Sequence, residues 1–207
     1  MTKIKLCGMM RREDIETANA LLPDYIGFIF AKKSRRYVSP ERAAALKKLL
    51  SDKIKAVGVF VDEEPENIAS LAESGTIDVI QLHGNEDDGY IYRLRELTKA
   101  PIIKAFRVKD EGDIEAAEKC PSDMVLLDAA EGGSGKEFDR TLASGMTRDY
   151  FLAGGLYPET VAEAIEKHRP YGVDVSSGIE SDGAKDKNKM ESFVKAVRRT
   201  DGKAENI

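Results

Sequence analysis

The sequence predicts an α/β protein built as a single (β/α)8 TIM barrel, eight parallel strands inside a ring of helices. Three observations predict it. Eight short β-rich runs begin at Lys3, Tyr25, Ile54, Asp78, Pro101, Met124, Tyr150 and Gly172. Their starts lie 22 to 29 residues apart, enough for a strand, a loop and one helix each time. The runs are apolar on both faces, as parallel strands covered by helices must be, since a parallel pair needs a crossover.

Taken in order, the first run ends at Cys7, and its turn reads Cys7-Gly8-Met9-Met10-Arg11. The absence of G-x-G-x-x-G there argues against a doubly wound dinucleotide fold. The second run, from Tyr25, leads to a helix announced by Ser39 as cap, Pro40 in the first turn and Glu41 against the dipole. The third, from Ile54, is followed by a helix with Ile68, Leu71 and Ala72 on one face and Gly75 at its close. The fourth and fifth end at His83 and Arg107, and the sixth places Asp128 after four apolar residues. A Gly-rich turn, Gly132 to Lys136, then leads toward a helix containing Phe138 and Leu142. The seventh run ends at Gly154-Gly155, and Pro158-Glu159 are expected to open the next helix, striped by Val161, Ala164 and Ile165. After the eighth run the last helix carries Met190, Phe193, Val194 and Val197 at i, i+3, i+4 and i+7. One domain, residues 1–200, fits the 207-residue length, with 201–207 expected as a disordered tail.

Thirty-two basic against 37 acidic residues give a net charge of −5, which disfavours nucleic acid and anionic lipid as partners. Any anionic ligand then needs a local site. No apolar run is long enough to span a membrane, and Lys3 and Lys5 precede no signal-like apolar core. Cys7 and Cys120 are far apart and form no metal spacing, so a reducing, cytoplasmic setting is expected. His83 and His168, the only histidines, form no pair at ligand spacing, so a metal site is not expected. No helix shows an over-wide apolar face, so the expected state is a monomer, with a homodimer as the alternative.

In such a barrel chemistry sits at the C-terminal strand ends. Cys7 and Asp128 end strands one and six, across the barrel from each other, and offer a base and an acid with space for a small substrate between them. Cys120, at the opposite face, reads as a small buried hydrophobe. Gly133, Ser134 and Gly135 form no P-loop, because Lys136 is followed by Glu137. Together with Gly154, Gly155, Ser176, Ser177 and Gly178 they make three small-residue loops after strands six to eight, where barrels usually hold phosphate. Arg35 and Arg36 form a basic stretch in an acidic protein, and one guanidinium there suits a substrate carboxylate.

Several segments together resemble the phosphoribosylanthranilate isomerase family over residues 5–197. They are Lys5-Leu6-Cys7-Gly8, Gly27-Phe28-Ile29-Phe30 with Ser34-Arg35-Arg36-Tyr37-Val38-Ser39-Pro40, Gln81-Leu82-His83-Gly84, Leu127-Asp128, Gly132 to Asp139, Leu152 to Leu156 and Gly172 to Glu180. The resemblance implies a cofactor-free Amadori rearrangement of N-(5-phosphoribosyl)anthranilate in tryptophan biosynthesis. It implies Cys7 as general base, Asp128 as general acid and Arg36 on the anthranilate carboxylate. His83 joins the substrate-facing set, and the Gly-rich loops hold the phosphate. The chain departs from the family pattern at Met10, Arg35, Asp62, Ser134 and Arg140, none of them the proposed base or acid. A sugar-phosphate epimerase on the same barrel, or a phosphate-binding module without chemistry, are the competing readings. A metal-dependent epimerase would lose activity to a chelator, and a non-catalytic module would lack the acid or the base.

Overall fold

The computed structural model describes residues 1–129, 143 and 145–204. Eight parallel strands close into a barrel in chain order. They are β1 (Lys3–Cys7), β2 (Tyr25–Ile29), β3 (Lys55–Phe60), β4 (Val79–Leu82), β5 (Ile102–Val108), β6 (Met124–Ala129), β7 (Tyr150–Leu152) and β8 (Gly172–Val175). Every start lies within one residue of the expected position. The barrel closes by pairing β1 with β8, Lys5 standing opposite Asp174.

Helices α1 (Arg12–Leu21), α2 (Pro40–Lys47), α3 (Pro65–Glu73), α4 (Asp88–Leu97), α5 (Glu111–Lys119), α6 (Val161–His168) and α7 (Lys187–Ala204) cover the outside. Ser39 caps α2 by accepting from the Arg42 amide, as its sequence signature requires. Gly75, at φ +70°, follows α3 in the left-handed region. Two expectations need correction. Pro158 and Glu159 lie in a turn closed by the Thr160 and Val161 amides on the Tyr157 carbonyl, and α6 starts at Val161. The ordered chain does not stop near Thr200: α7 reaches Ala204, held where the Asp201 carboxylate accepts from the Thr2 amide and hydroxyl. The helix expected around Phe138 and Leu142, and residues 205–207, lie outside the described residues.

Strand alternation divides the core into two layers. Inward positions Cys7, Val57, Val59, Val79, Ile103, Ala105, Leu126, Phe151 and Ala153 fill the barrel. Outward positions such as Ile4, Leu6, Ile26, Ile80 and Leu127 pack against the helices. Tyr25 and Tyr171 meet Phe151 edge-on, at centroid separations of 5.6 and 5.5 Å, and plug the N-terminal end of the interior. At that same end an aspartate just before each of β2, β4 and β6 accepts from an amide of the preceding strand. Asp24 takes Ile4, Asp78 takes Ala56 and Asp123 takes Ile102. With the lower end tied and plugged, the open end is the C-terminal one.

After β8 the chain makes a 3-10 turn (Ser177–Ile179) and a two-stranded hairpin, β9 (Glu180–Ser181) and β10 (Ala184–Lys185). Asp182 and Gly183 form its turn with φ of 51° and 79°. Asp-Gly favours that geometry and is the signal that reveals such a hairpin in a sequence.

Candidate active site

A cavity of about 380 Å³ opens at the C-terminal strand ends. Its wall includes Cys7, Arg36, His83, Asp128, Gly154, Gly155, Ser176, Ser177 and Gly178, so nine of the expected site residues meet at one place. Gly133, Ser134 and Gly135 lie outside the described residues. Asp62 and Arg107, also at strand ends, do not line this cavity. Asp62, at φ 50°, accepts from the Asn85 amide and shapes the neighbouring loop.

Cys7 is placed by β1 and by what β2 lacks. Gly27 stands opposite it in register, and a Cβ there would lie 2.6 Å from the Cys7 sulfur. The next residue, Gly8, takes φ +83°, with Arg36 and Ser176 so close that a side chain would collide. Burial pushes the Cys7 thiol up from its ordinary value; Lys5 and Lys185 oppose that shift, and Asp174 adds to it.

Asp128, next to last in β6, has its side chain about a quarter exposed. Its Oδ2 lies 3.4 Å from His83 Nε2. His83 Nδ1 is 2.9 Å from Gln81 Nε2. The carbonyl oxygen of Gln81 is buried on the cavity wall with no hydrogen-bond partner among the described residues.

Arg36 reaches the cavity from the loop after β2, but its fork is engaged. Nε and Nη2 donate to the two carboxylate oxygens of Glu180 at 2.5 and 2.8 Å. A bidentate grip on a ligand carboxylate by that edge is therefore unavailable, and Nη1 is the nitrogen left without a partner among the described residues. Arg35 touches the same Glu180 with Nη2 from a largely exposed position and does not line the cavity. Lys185 adds a third cation, 2.7 Å from Glu180. Burial works to raise the Glu180 carboxyl, yet Arg36 and Lys185 hold it down at about 2. Lys185 also donates to the Ser176 carbonyl, and the Ser176 hydroxyl donates to the Cys7 carbonyl, so the hairpin braces both Arg36 and Cys7.

The small-residue loops after β7 and β8 are packed tightly together. Gly154 and Gly155 take φ of 77° and 61°, and a Cβ on Gly178 would overlap the Leu156 carbonyl oxygen. Sequence reading passed over Lys5, Gln81, Asp174, Glu180 and Lys185 as site residues. The available signal for the first three was a polar residue at an inward position of an otherwise apolar strand. Among the described residues no group of three or more His, Cys, Asp or Glu side chains is disposed to hold a metal ion, and no helix is long and apolar enough to cross a membrane.

The family model for N-(5'-phosphoribosyl)anthranilate (PRA) isomerase matches residues 4–196. The chain is 46% identical over 202 residues to N-(5'-phosphoribosyl)anthranilate isomerase of Endomicrobium trichonymphae, covering 96% of this chain and 99% of that one. It is 43% identical over 215 residues to the enzyme of the same name from Acetivibrio thermocellus, covering 98% of each. The crystal structure of phosphoribosyl anthranilate isomerase from Thermotoga maritima superposes with a TM-score of 0.88 at 38% identity, covering 96% of this chain and all of that one. A further structure of a phosphoribosyl anthranilate isomerase, in complex with reduced 1-(o-carboxyphenylamino)-1-deoxyribulose 5-phosphate, matches with a TM-score of 0.85 at 36% identity, covering 96% of this chain and 100% of that one. A closed barrel, a mouth lined by thiol, carboxyl and guanidinium, and near full-length identity to these enzymes lead to one conclusion: the chain belongs to the N-(5'-phosphoribosyl)anthranilate isomerase family.

Proposed function

We propose that Cys7 is the general base and Asp128 the general acid of this isomerase, an aldose-ketose isomerase of tryptophan biosynthesis acting on a small-molecule substrate. The observation that carries the assignment is their placement on β1 and β6, on far sides of one cavity. Asp128 gives its proton to the furanose oxygen, the C1′–O bond breaks, and the anilino nitrogen's lone pair forms the Schiff base. Cys7 as thiolate then takes the C2′ proton, the C–H electrons form the enolamine, and reprotonation at C1′ with loss of the C2′ hydroxyl proton gives the ketone. No redox partner is consumed. Two positioned acid–base groups at roughly 10²- to 10⁴-fold each supply about 5 to 11 kcal/mol of barrier lowering.

Arg36 Nη1 is proposed to meet the anthranilate carboxylate, with Gly154, Gly155, Ser176, Ser177 and Gly178 on the phosphate. His83 borders the substrate through its contact with Asp128. The protein is proposed to act as a cytoplasmic monomer, which light scattering on the eluting protein tests directly. A crystal structure of monomers generated from the dimeric isomerase of Thermotoga maritima makes a dimer the outcome to look for.

The test is a fluorescence assay in which phosphoribosylanthranilate is generated in situ, with a chelator present throughout. Rapid loss of signal with the wild-type protein, abolished in both Cys7→Ala and Asp128→Ala, is expected. Full turnover in either folded variant would remove that residue's role, and no turnover by folded wild type would remove the assignment altogether.

A further inference from the structure

The described charges around Cys7 differ in how far their partners engage them. Arg36, from the loop after β2, and Lys185, from β10, are tied to Glu180 of β9, and Lys185 donates further to Ser176. Asp128 on β6 and His83 on β4 pair with each other on the cavity's other walls. Lys5 stands apart. It is two residues from Cys7 on the same inward face of β1, it is fully buried, and its ammonium donates to Asp174 Oδ1 of β8 at 2.9 Å. Asp174 in turn lines the cavity beside the thiol.

A buried ammonium is expensive to desolvate, and an apolar residue of similar length would fill the barrel at lower cost. An ammonium has three donors, and Asp174 takes one. The Cys7 thiol lies two residues on along the same buried face of β1, and the Lys5 charge is coupled to it.

We propose that Lys5 is a positioning residue for the base: its ammonium stabilises the Cys7 thiolate, and the ion-paired Asp174 limits that stabilisation. This rests on the reading of Cys7 as the base. An unopposed lysine would hold the sulfur permanently charged and weaken it as a proton acceptor. An unopposed aspartate would keep it protonated. The pair sets the sulfur between these limits, where it can take the substrate's proton and return it.

The two halves of the pair have opposite signs, and that separates an electrostatic role from a packing role. The Cys7 titration is read from the thiolate absorbance against pH in a Cys120→Ala background, with Cys7→Ser as the blank. The Lys5→Met variant is expected to move the transition up by about 1 to 3 pH units, and Asp174→Asn to move it down, since a nearby charge shifts a thiol by that order. Shifts in the same direction, or no shift in either, overturn the proposal. If Lys5→Met does not fold, Asp174→Asn decides alone: an unmoved or upward transition overturns it. The titration needs no substrate, so opposed shifts in a protein without turnover would sink the isomerase role and leave the charge pair standing.

Discussion

Replacing Gly27 with alanine is the most economical way to test whether the position of Cys7 matters to catalysis. Gly27 faces inward on β2, and an added Cβ would sit 2.6 Å from the Cys7 sulfur, 3.2 Å from its Cα and 3.3 Å from its Cβ. Ordinary contact is about 3.5 to 4.0 Å, so the sulfur must retreat by about 1 Å. β2 cannot absorb the displacement easily. Its Gly27 carbonyl accepts from the amides of both Gly8 and Met9, so a shift of the strand would drag the turn that follows Cys7. A misplacement of about 1 Å at a reacting group costs on the order of 10²-fold, or about 2.7 kcal/mol of transition-state stabilisation. The stability cost of one extra methyl in a packed interior is about 1 to 3 kcal/mol. Expected, then, is a folded enzyme with kcat lowered about 100-fold and KM little changed, measured by steady-state turnover of phosphoribosylanthranilate beside a urea titration. A kcat within a few-fold of wild type in Gly27→Ala would mean that the thiol's position is not critical, and the steric argument for glycine opposite the base would fail.

At the other end of the barrel, Asp78→Ala leaves the Ala56 amide and the Lys47 ammonium without their acceptor. A loss of about 1 to 3 kcal/mol in denaturant unfolding with kcat unchanged is expected, and a drop in kcat would break the separation between the tied end and the reactive end. Glu86→Gln removes the counter-charge of the Lys104 ammonium, which is buried 3.0 Å from that carboxylate and also donates to the Gly84 carbonyl. Breaking such a pair costs about 3 to 5 kcal/mol, and a loss below about 1 kcal/mol in a urea titration would show that the lysine is solvated instead. For Glu180 the folded carboxyl lies at about 2 against an ordinary 4.5, so the unfolded state binds the extra proton first. Its contribution to stability is complete above about 4.5 and is lost as pH falls toward about 2. Subtracting the acid unfolding curve of Glu180→Gln from that of wild type should reveal that slope, and parallel curves would refute it.

How legible these features were in the sequence followed from the range of the interactions behind them. Strand starts were readable because a β-rich apolar run bounded by turn residues is a local signal, and eight of them at even spacing leave few topologies open. The Ser39 cap was readable for the same reason. The start of α6 was not, because Pro158 suits a turn before a helix as well as a first helical turn, and the choice lies with the Tyr157 carbonyl. The end of α7 escaped because Asp201 is fastened to Thr2, a partner 199 residues away. Asp24, Asp78 and Asp123 form a structural repeat that residue comparison misses, since aspartates before β2, β4 and β6 become a pattern only when their amide partners are known.

The engagement of Arg36 illustrates the harder limit and gives it a physical content. Residue type alone suggested a free guanidinium fork waiting for a carboxylate, and the fork already holds one, from Glu180. That pairing is what a rigid site needs. An arginine held at two nitrogens by a buried carboxylate has little rotamer freedom left to lose when substrate arrives, and Nη1 is aimed before binding. Glu180 is in turn fixed by Lys185, its register partner across the Asp182-Gly183 hairpin, and Lys185 holds the Ser176 carbonyl at the start of the loop after β8. The hairpin thus connects Arg36, the Ser176 loop and the strand that carries Cys7. Its two-residue turn is the part that a sequence displays openly, while the chain of charges that it supports exists only once β1, β8 and the loop after β2 have come together.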